Sequence, residues 1–365
     1  MNVYLDYAAT APMRAEVLEE MLPLMRETGN PDSLHAYGRK AAYAVTEARD
    51  KIAAVLGVRP SEVYFTAGGT EADNWAVREL GAGRALVSEI EHAAVRSAAP
   101  LREGGAEFFP VDGNGIVSVA ALSERLTPDT GLVAMMSVNN ETGAIQPLEE
   151  VSALVRSHGA IFFCDCVQAP VCLDMKKISP LVDAFSLSAH KLGGPAGVGA
   201  LIVKKGVRMR PLIAGGEQER GLRGGTLNAA GIVGFARALE LAQSEREEFS
   251  RHTGRLRDLF ESILLAKLGK EVRIDGENRA PNISHITLAR GGDIFLNRLD
   301  LEGVAASGGA ACSAHSGLPS HVMLAMGRSE EEAKRGVRFS FGKETTEEET
   351  VYAAETVVKI ALGEK

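Results

Sequence analysis

Short apolar runs alternate with stretches of helical spacing along most of the chain. Unbroken apolar runs at Leu132–Val138 and Ile161–Cys164 predict strands buried on both faces. After a short extended start, helical spacing predicts a first long helix at about Arg39–Leu56, and further helices begin near Glu71 and His92. Five more stretches have strand character: Val63–Thr66, Ala85–Ser88, Glu107–Val111, Ala184–Ser188 and Gly199–Val203. This rhythm predicts an α/β fold with a seven-stranded, mostly parallel sheet between helices.

The pattern changes in the last third of the chain. Residues from about Leu227 to Lys270 are helical in spacing and rich in charge. Beyond them, strand patterns at Asn282–Leu288 and Gly336–Ser340 mix with helical patterns at Ser329–Arg335 and Thr346–Leu362. We therefore expect a large domain over residues 15–250 and a smaller α+β domain formed by residues 1–14 and 251–365.

Composition and charge exclude several classes of protein. The 365 residues carry 40 Lys and Arg against 48 Asp and Glu, a net charge of −8 that disfavours a nucleic-acid-binding surface. Four cysteines are too few for a disulfide framework, and the spacing of Cys164, Cys166 and Cys172 matches no usual zinc site. Neither a signal-peptide pattern nor a membrane-length apolar run is present. We expect a cytoplasmic protein without a metal and without a nucleic-acid or membrane partner.

A phosphate site is indicated by the segment Thr66-Ala-Gly-Gly-Thr70-Glu71. It joins a predicted strand to a predicted helix, so backbone N–H groups at Gly69, the Thr70 hydroxyl and the helix N-terminus could together bind an anion. Taken alone, the segment is more typical of an ordinary turn with a Thr N-cap. Neither a Walker P-loop nor the dinucleotide-binding glycine pattern occurs.

Two further strand ends carry complementary chemistry. Asp165 and Gln168 follow one apolar strand, and a buried carboxylate there needs a cation or proton donor opposite it. Ser188, His190 and Lys191 follow another strand, where Lys191 could form a Schiff base with a carbonyl and the other two could bind phosphate. Phosphate, aldehyde and basic ring nitrogen together describe pyridoxal 5′-phosphate, with Asp165 keeping the ring nitrogen protonated.

Motifs through nearly the whole chain resemble those of the NifS/IscS-type cysteine desulfurases, within the class V aminotransferase family of fold-type I pyridoxal-phosphate enzymes. They are Leu5-Asp-Tyr-Ala-Ala-Thr10, Gly29-Asn-Pro-Asp-Ser-Leu-His35, Thr70-Glu-Ala-Asp-Asn74, Glu91-His92, Val138-Asn-Asn-Glu-Thr-Gly143, Asp165–Gln168, Ser188–Lys191, Arg220-Gly-Leu-Arg-Gly-Gly-Thr226 and Arg338–Ser340. The resemblance implies that His92 stacks on the cofactor ring and that Gln168 bonds its 3-hydroxyl. It also implies that Thr70, Ser188 and His190 hold the phosphate. Thr226 would reach the phosphate of a partner subunit, which implies a homodimer with shared sites.

A glycine-rich segment, Ala306–Gly317, carries the fourth cysteine, Cys312, away from any apolar periodic face. Such a segment lets a thiolate reach a substrate and then carry sulfur away. Two serines of the family pattern are replaced here by Gly308 and Ala310. We expect Cys312 to be the nucleophile.

The substrate carboxylate has a candidate partner in Arg338, whose planar guanidinium suits a two-point hydrogen bond. Asn140 would assist it, and Asn30 and His35 would lie near the substrate entrance. His315 and His321 are expected to be solvated. The resemblance implies conversion of L-cysteine to L-alanine, with Lys191 moving the Cα proton, His92 moving protons at sulfur and Cys312 taking the sulfur as a persulfide.

Several alternatives stay open at this stage. On the same fold the chain could be a selenocysteine lyase or a class V aminotransferase, and a non-catalytic partner protein is a remoter possibility. The persulfide would pass to a sulfur-acceptor protein, either a scaffold or a sulfur carrier, for iron–sulfur cluster assembly or thiolation. Longer family members dock a scaffold through a C-terminal tail, a route that we do not expect here.

Overall fold

The computed structural model describes residues 1–308 and 318–363. Its strands are β1 (Val3–Tyr4), β2 (Val63–Thr66), β3 (Arg84–Ser88), β4 (Ala106–Phe109), β5 (Thr130–Ala134), β6 (Ile161–Asp165), β7 (Ala184–Ser188), β8 (Gly199–Val203), β9 (Val272–Asp275), β10 (Ile283–Leu288), β11 (Val304–Ala305), β12 (Ser307–Gly308) and β13 (Gly336–Ser340). Its helices are α1 (Ala15–Arg26), α2 (Ala36–Leu56), α3 (Gly69–Glu79), α4 (Ala93–Ala98), α5 (Val119–Arg125), α6 (Leu148–His158), α7 (Met175–Ile178), α8 (Ala229–Ser244), α9 (Arg246–Leu268), α10 (Asp293–Leu301), α11 (His321–Ala325), α12 (Glu330–Ala333) and α13 (Glu347–Leu362).

The larger sheet has seven strands in the order β2-β8-β7-β6-β5-β3-β4. Neighbours from β7 through β4 run parallel, and β8 runs antiparallel to both β7 and β2. Helices α3 and α4 cover one face with a core around Trp75, and α2, α6 and α8 cover the other with a core around Ile52 and Phe235. The predicted α/β fold with a mostly parallel, helix-covered sheet is confirmed.

A second sheet of four strands has the order β12-β13-β10-β9 and is antiparallel throughout. A separate apolar core around Phe260 and Phe339 joins it to α9, α10 and α13. The N-terminal strand β1 pairs in parallel with β11, and Val3 and Leu5 belong to this second core. The first residues of the chain are thus packed with its last third.

Three details of the predicted elements are wrong. The strand expected over Leu132–Val138 ends at Ala134, although Met135 and Ser137 still donate backbone hydrogen bonds to the β6 strand. Helix α1 was missed because Pro23 lies inside it and only Val17 and Met21 are buried. Helix α2 begins before Arg39 because the His35 ring, an unusual cap, accepts a hydrogen bond from the Gly38 N–H.

Candidate active site

A cavity of about 330 Å³ opens at the carboxyl ends of β6 and β7, where ligands bind in open α/β sheets. It extends to the second sheet, because Arg338 of β13 reaches it. Most of the predicted site residues line this cavity: Gly69, Thr70, His92, Asn140, Asp165, Gln168, Ser188, His190, Lys191 and Arg338. Residues far apart in the sequence therefore meet in one place.

The N-terminus of α3 forms one end of the cavity. A Cβ atom at Gly69 would lie 2.8 Å from a methyl group of Val167, so only glycine lets the backbone come this close. Thr70 follows in the first helical turn, and Ser188 and His190 face it from the end of β7. Burial and the Lys191 charge lower the pKa of His190 to about 4, so the ring is neutral and can donate one N–H to an anion.

Three buried carboxyl groups line the cavity, and two of them, Asp165 and Asp73, interact with each other. Asp165 ends β6, and its Oδ1 accepts the Val167 N–H at 2.9 Å. Asp73 of α3 is 2% exposed, and its Oδ1 accepts the hydroxyl of Ser186 at 2.5 Å. Burial raises the pKa of both, but the charges of His92 and Lys191 lower only that of Asp165, whereas the Asp165 charge raises the pKa of Asp73 further. The neighbouring charges therefore favour ionisation of Asp165 over ionisation of Asp73.

Lys191 lies in a short turn, Ala189–Leu192, directly after β7. Its Nζ donates hydrogen bonds to the carbonyls of Ala8 (2.6 Å) and Ala9 (2.9 Å). Gln168 Nε2 donates to the same Ala8 carbonyl at 2.9 Å. The N-terminal segment thus forms the wall against which the lysine and the glutamine rest.

His92 caps helix α4, because its Nδ1 accepts the Ala94 N–H at 3.1 Å. This bond places the remaining proton of the neutral ring on Nε2. Burial lowers the pKa of His92 despite the opposing charge of Asp165. A neutral imidazole beside a cofactor can both stack on a ring and exchange protons.

Arg338 is 2% exposed and enters the cavity from β13. Its Nη1 donates to the Asn140 carbonyl and its Nη2 to Asp6 Oδ1, both at 2.7 Å. Next to Asn140, the carboxyl of Glu141 accepts the Ser320 hydroxyl at 2.5 Å, and burial raises the pKa of Glu141 to about 7. The guanidinium is held by backbone and carboxylate together.

Several predicted residues lie elsewhere. Asn30, His35 and Thr226 are exposed and do not line the cavity of this chain. Cys312 lies outside the described residues, but Ser307 pairs with Arg338 across the sheet and Ser320 bonds to Glu141. Ser307 and Ser320, on either side of the residues that are not described, therefore both contact residues that line the cavity.

Sequence reasoning missed other cavity residues. His321 was expected in solvent, yet it lines the cavity and its Nε2 lies 2.9 Å from the Glu91 carbonyl. Asp73 and Glu141 also line the cavity, and Asp6, which does not line it, bonds to Arg338. All three fall within the quoted motifs, but the sequence does not reveal which carboxylates lie at the site. Only their place inside motifs could have pointed to them.

The chemistry of these donors fits pyridoxal phosphate. A helix N-terminus with hydroxyl and imidazole donors suits its phosphate. A buried carboxylate with its own N–H donor suits a protonated ring nitrogen, and a lysine at the opposite wall suits its aldehyde. The cavity therefore has matching partners for each functional group of this cofactor.

Residues 1–308 and 318–363 contain neither a metal-binding cluster nor a membrane-spanning helix. No group of three or more His, Cys, Asp or Glu side chains is arranged there to hold a metal ion. Within the same ranges, no helix combines the length and the apolar character needed to span a membrane.

Comparison with known proteins gives the same assignment throughout. The model of the family "Aminotransferase class-V" matches residues 3–352. Cysteine desulfurase IscS of Dictyoglomus turgidum is 40% identical over 98% of this chain and 94% of its own length. Putative cysteine desulfurase IscS 1 of Bacillus subtilis is also 40% identical, over 98% of both chains.

Solved structures agree with these sequence matches. A NifS-like protein superposes with a TM-score of 0.90 at 36% identity, covering 99% of both chains. The structure described as SspA in complex with cysteine has a TM-score of 0.82 at 33% identity, covering 94% of this chain and all of that one. Each resembles this chain over nearly its whole length.

Proposed function

Because the chain belongs to the class V aminotransferase family, we propose that it is a pyridoxal-phosphate-dependent cysteine desulfurase. It converts L-cysteine to L-alanine and transfers the sulfur to Cys312 as a persulfide. The observation that carries the proposal is the cavity in which Lys191, Asp165 and Arg338 meet, flanked by Ser307 and Ser320 at the two ends of the segment that contains Cys312.

The cofactor, when bound, supplies an electron sink that acidifies the Cα–H bond of the bound amino acid. Thr70, Ser188, His190 and the α3 N-terminus would hold its phosphate, and Asp165 its ring nitrogen. Gln168 would donate to its 3-hydroxyl and His92 would cover its ring. Ionised Asp165 keeps the ring nitrogen protonated because burial makes an unpaired charge there costly.

Each remaining residue has one task in the reaction. Arg338 binds the substrate carboxylate, and Asn140 supports it. Lys191, already at the cavity wall, takes the Cα proton through Nζ. His92 accepts or returns a proton at the sulfur, which its lowered pKa permits near neutral pH.

Sulfur transfer is a displacement that needs no oxidant. The Cys312 thiolate attacks the substrate sulfur, so an S–S bond forms while the C–S bond breaks. The electron pair of the broken bond stays with the carbon skeleton, which gains protons and leaves as L-alanine. The enzyme keeps a persulfide, so the thiol and cysteine yield a persulfide and alanine in balance.

The direct test measures alanine and sulfide released from L-cysteine by the purified holoenzyme. The Cys312→Ser variant should bind the cofactor normally, with the same visible spectrum, but release alanine at less than about 1% of the wild-type rate because the nucleophile is gone. Cys172→Ser is the matched control, since that thiol packs away from the cavity. Full activity of Cys312→Ser would refute the nucleophile, and faster alanine release from selenocysteine independent of Cys312 would favour a selenocysteine lyase.

The proposal extends to a homodimer in which Thr226 reaches the partner's cofactor and Asn30 and His35 flank the entrance. It is supported by the exposure of these residues and of the neighbouring apolar side chains Leu34 and Tyr37. A dimer by light scattering, disrupted by charges at Leu34 and Tyr37, would support it.

The domain boundaries, the cytoplasmic location and the acceptor also belong to the proposal. Residues 15–250 form the large domain, and residues 1–14 with 251–365 form the small one, in keeping with the separate core around Phe260.

Because a persulfide is useful only when consumed, a sulfur-acceptor protein, scaffold or carrier, must take it in a reducing compartment. Sulfur-34 transfer from L-cysteine to purified candidate acceptors would identify it.

A further inference from the structure

The segment Leu5–Thr10 contacts both the strand that carries Arg338 and the turn that carries Lys191. On one side it is fixed to the second sheet: Ser340 N–H donates to the Leu5 carbonyl at 2.7 Å, and Ala8 N–H donates to the Ser340 hydroxyl at 2.9 Å. On the other side the carbonyls of Ala8 and Ala9 hold Lys191. One short stretch of backbone therefore connects the arginine strand with the lysine turn.

Within this segment Asp6 is directed at Arg338. Its Oδ1 accepts from Nη2 at 2.7 Å, while the Asn140 carbonyl accepts from Nη1 at 2.7 Å. Two acceptors on different nitrogens fix the plane of a guanidinium, which has five N–H donors in a rigid fork. One N–H on each terminal nitrogen is thereby left for another acceptor in the cavity.

A second carboxyl group, that of Glu141, interacts electrostatically with this arginine. Glu141 lines the same cavity, and the charge of Arg338 lowers the pKa that burial has raised in Glu141. A buried guanidinium without its carboxylate would turn to another anion, because an unpaired buried charge is costly. Without Asp6, we expect the Arg338 guanidinium to turn toward Glu141, so that its N–H groups no longer face the carboxylate of a substrate.

We propose that Asp6 is a positioning residue for substrate binding: it holds the guanidinium of Arg338 in the orientation that receives the α-carboxylate of an amino acid. This inference rests on the proposed function, since it concerns how the same cavity selects an α-amino acid. Asp6 does not contact the reacting atoms and acts only through Arg338.

The test compares Asp6→Ala and Asp6→Asn holoenzymes with the wild type in steady-state turnover of L-cysteine. Asp6→Ala loses the charged hydrogen bond that orients the Arg338 guanidinium, so its KM should rise about 10- to 100-fold. The rise should be smaller in Asp6→Asn, because its amide oxygen can still accept a hydrogen bond from Arg338. The kcat value should change less than about twofold, because the chemistry at Cα and sulfur is untouched. Glu16→Gln is the matched control, an exposed acid of the same N-terminal region paired with Arg14.

A double-mutant cycle separates positioning from general stability. In an Arg338→Gln background, removal of the Asp6 carboxylate should change kcat/KM by less than about twofold, since the group it orients is absent. In a Cys312→Ser background, adding Asp6→Ala should raise the dissociation constant of L-cysteine by the same factor by which Asp6→Ala raises KM. The visible spectrum of the cofactor reports this binding. This binding readout stays available if turnover is slow.

Three outcomes would overturn the role of Asp6. KM could stay unchanged, KM could fall because Asp6 blocks the carboxylate site, or the loss could be equally large without Arg338. Wild-type enzyme that fails to release alanine would instead refute the proposed function, so the two failures are distinguishable. Unchanged affinity counts against the inference even where the thermal midpoint of the variant changes.

Discussion

Replacing Glu91 by glutamine should make the protein more resistant to unfolding at alkaline pH. Glu91 is fully buried, and its Oε1 accepts the Ser88 hydroxyl at 2.6 Å and the Met136 N–H at 2.8 Å. Its Oε2 is buried without a partner among the described residues. A glutamine oxygen keeps both hydrogen bonds, so the two side chains differ mainly in whether they can ionise.

The size of the effect follows from the pKa of Glu91, which burial raises from 4.5 to about 8. A folded-state pKa above the unfolded value means that the folded protein binds the proton more tightly. This contribution to stability is complete below pH 4.5 and is lost as the pH rises through about 8. At 1.36 kcal/mol per pKa unit the full loss is about 5 kcal/mol, of which about 2.5 kcal/mol falls between pH 6 and 8.

The assay is urea unfolding of wild type and Glu91→Gln, followed by circular dichroism at pH 6, 7 and 8. Titrating groups that do not interact with Glu91 cancel in the difference between the two proteins. Glu91→Gln should be equal to the wild type or slightly less stable at pH 6 and should gain about 1 kcal/mol per pH unit above it. A difference that stays constant with pH would mean that Glu91 is already ionised in the fold, and the burial argument would fail.

Two further predictions concern the site and its support. Lys191→Ala holoenzyme should lack the visible absorption band of lysine-bound cofactor, because no other lysine lines the cavity among the described residues; a variant that keeps the band would exclude Lys191. Arg49→Met should destabilise the fold by about 3–5 kcal/mol in urea unfolding, since it leaves Glu219, 5% exposed, without its two-point partner. Arg39→Met on the exposed face of α2 should change stability by less than about 0.5 kcal/mol, and equal effects would contradict this account.

The sheet was predictable because its strands are apolar on both faces. β2, β7 and β8 begin and end where the apolar runs do, at Val63–Thr66, Ala184–Ser188 and Gly199–Val203. The boundaries of α2 were less predictable, because a histidine ring supplies its cap in place of Ser, Thr, Asp or Asn. A local cap of an unusual residue type therefore sets that boundary.

The cavity was predictable only in part. Asp165, Ser188 and Lys191 follow apolar strands, so topology alone brings them to one edge of the sheet. Arg338, Asp6 and Glu141 arrive from the second sheet and from loops, and nothing in local spacing tells which loop faces which strand. Buried acids such as Glu91 and Glu141 look like ordinary surface residues until packing reveals their surroundings.

The number of buried acids explains why the site can hold one defined negative charge beneath the cofactor. Asp73, Glu91 and Asp165 are all buried, the charge of Asp165 raises the pKa of both Asp73 and Glu91, and the charge of Glu91 raises that of Asp73. Of these three, Asp165 is the one whose pKa is lowered by the charges of both His92 and Lys191.

These charges therefore favour ionisation of Asp165 over ionisation of Asp73 or Glu91, and an ionised Asp165 disfavours a second charge beside it. A ring nitrogen that meets Asp165 consequently faces a carboxylate with no competing anion, which favours its protonated form. Burial makes ionisation of these acids destabilising at high pH, and it also favours a single negative charge, on Asp165, which the proposed chemistry needs.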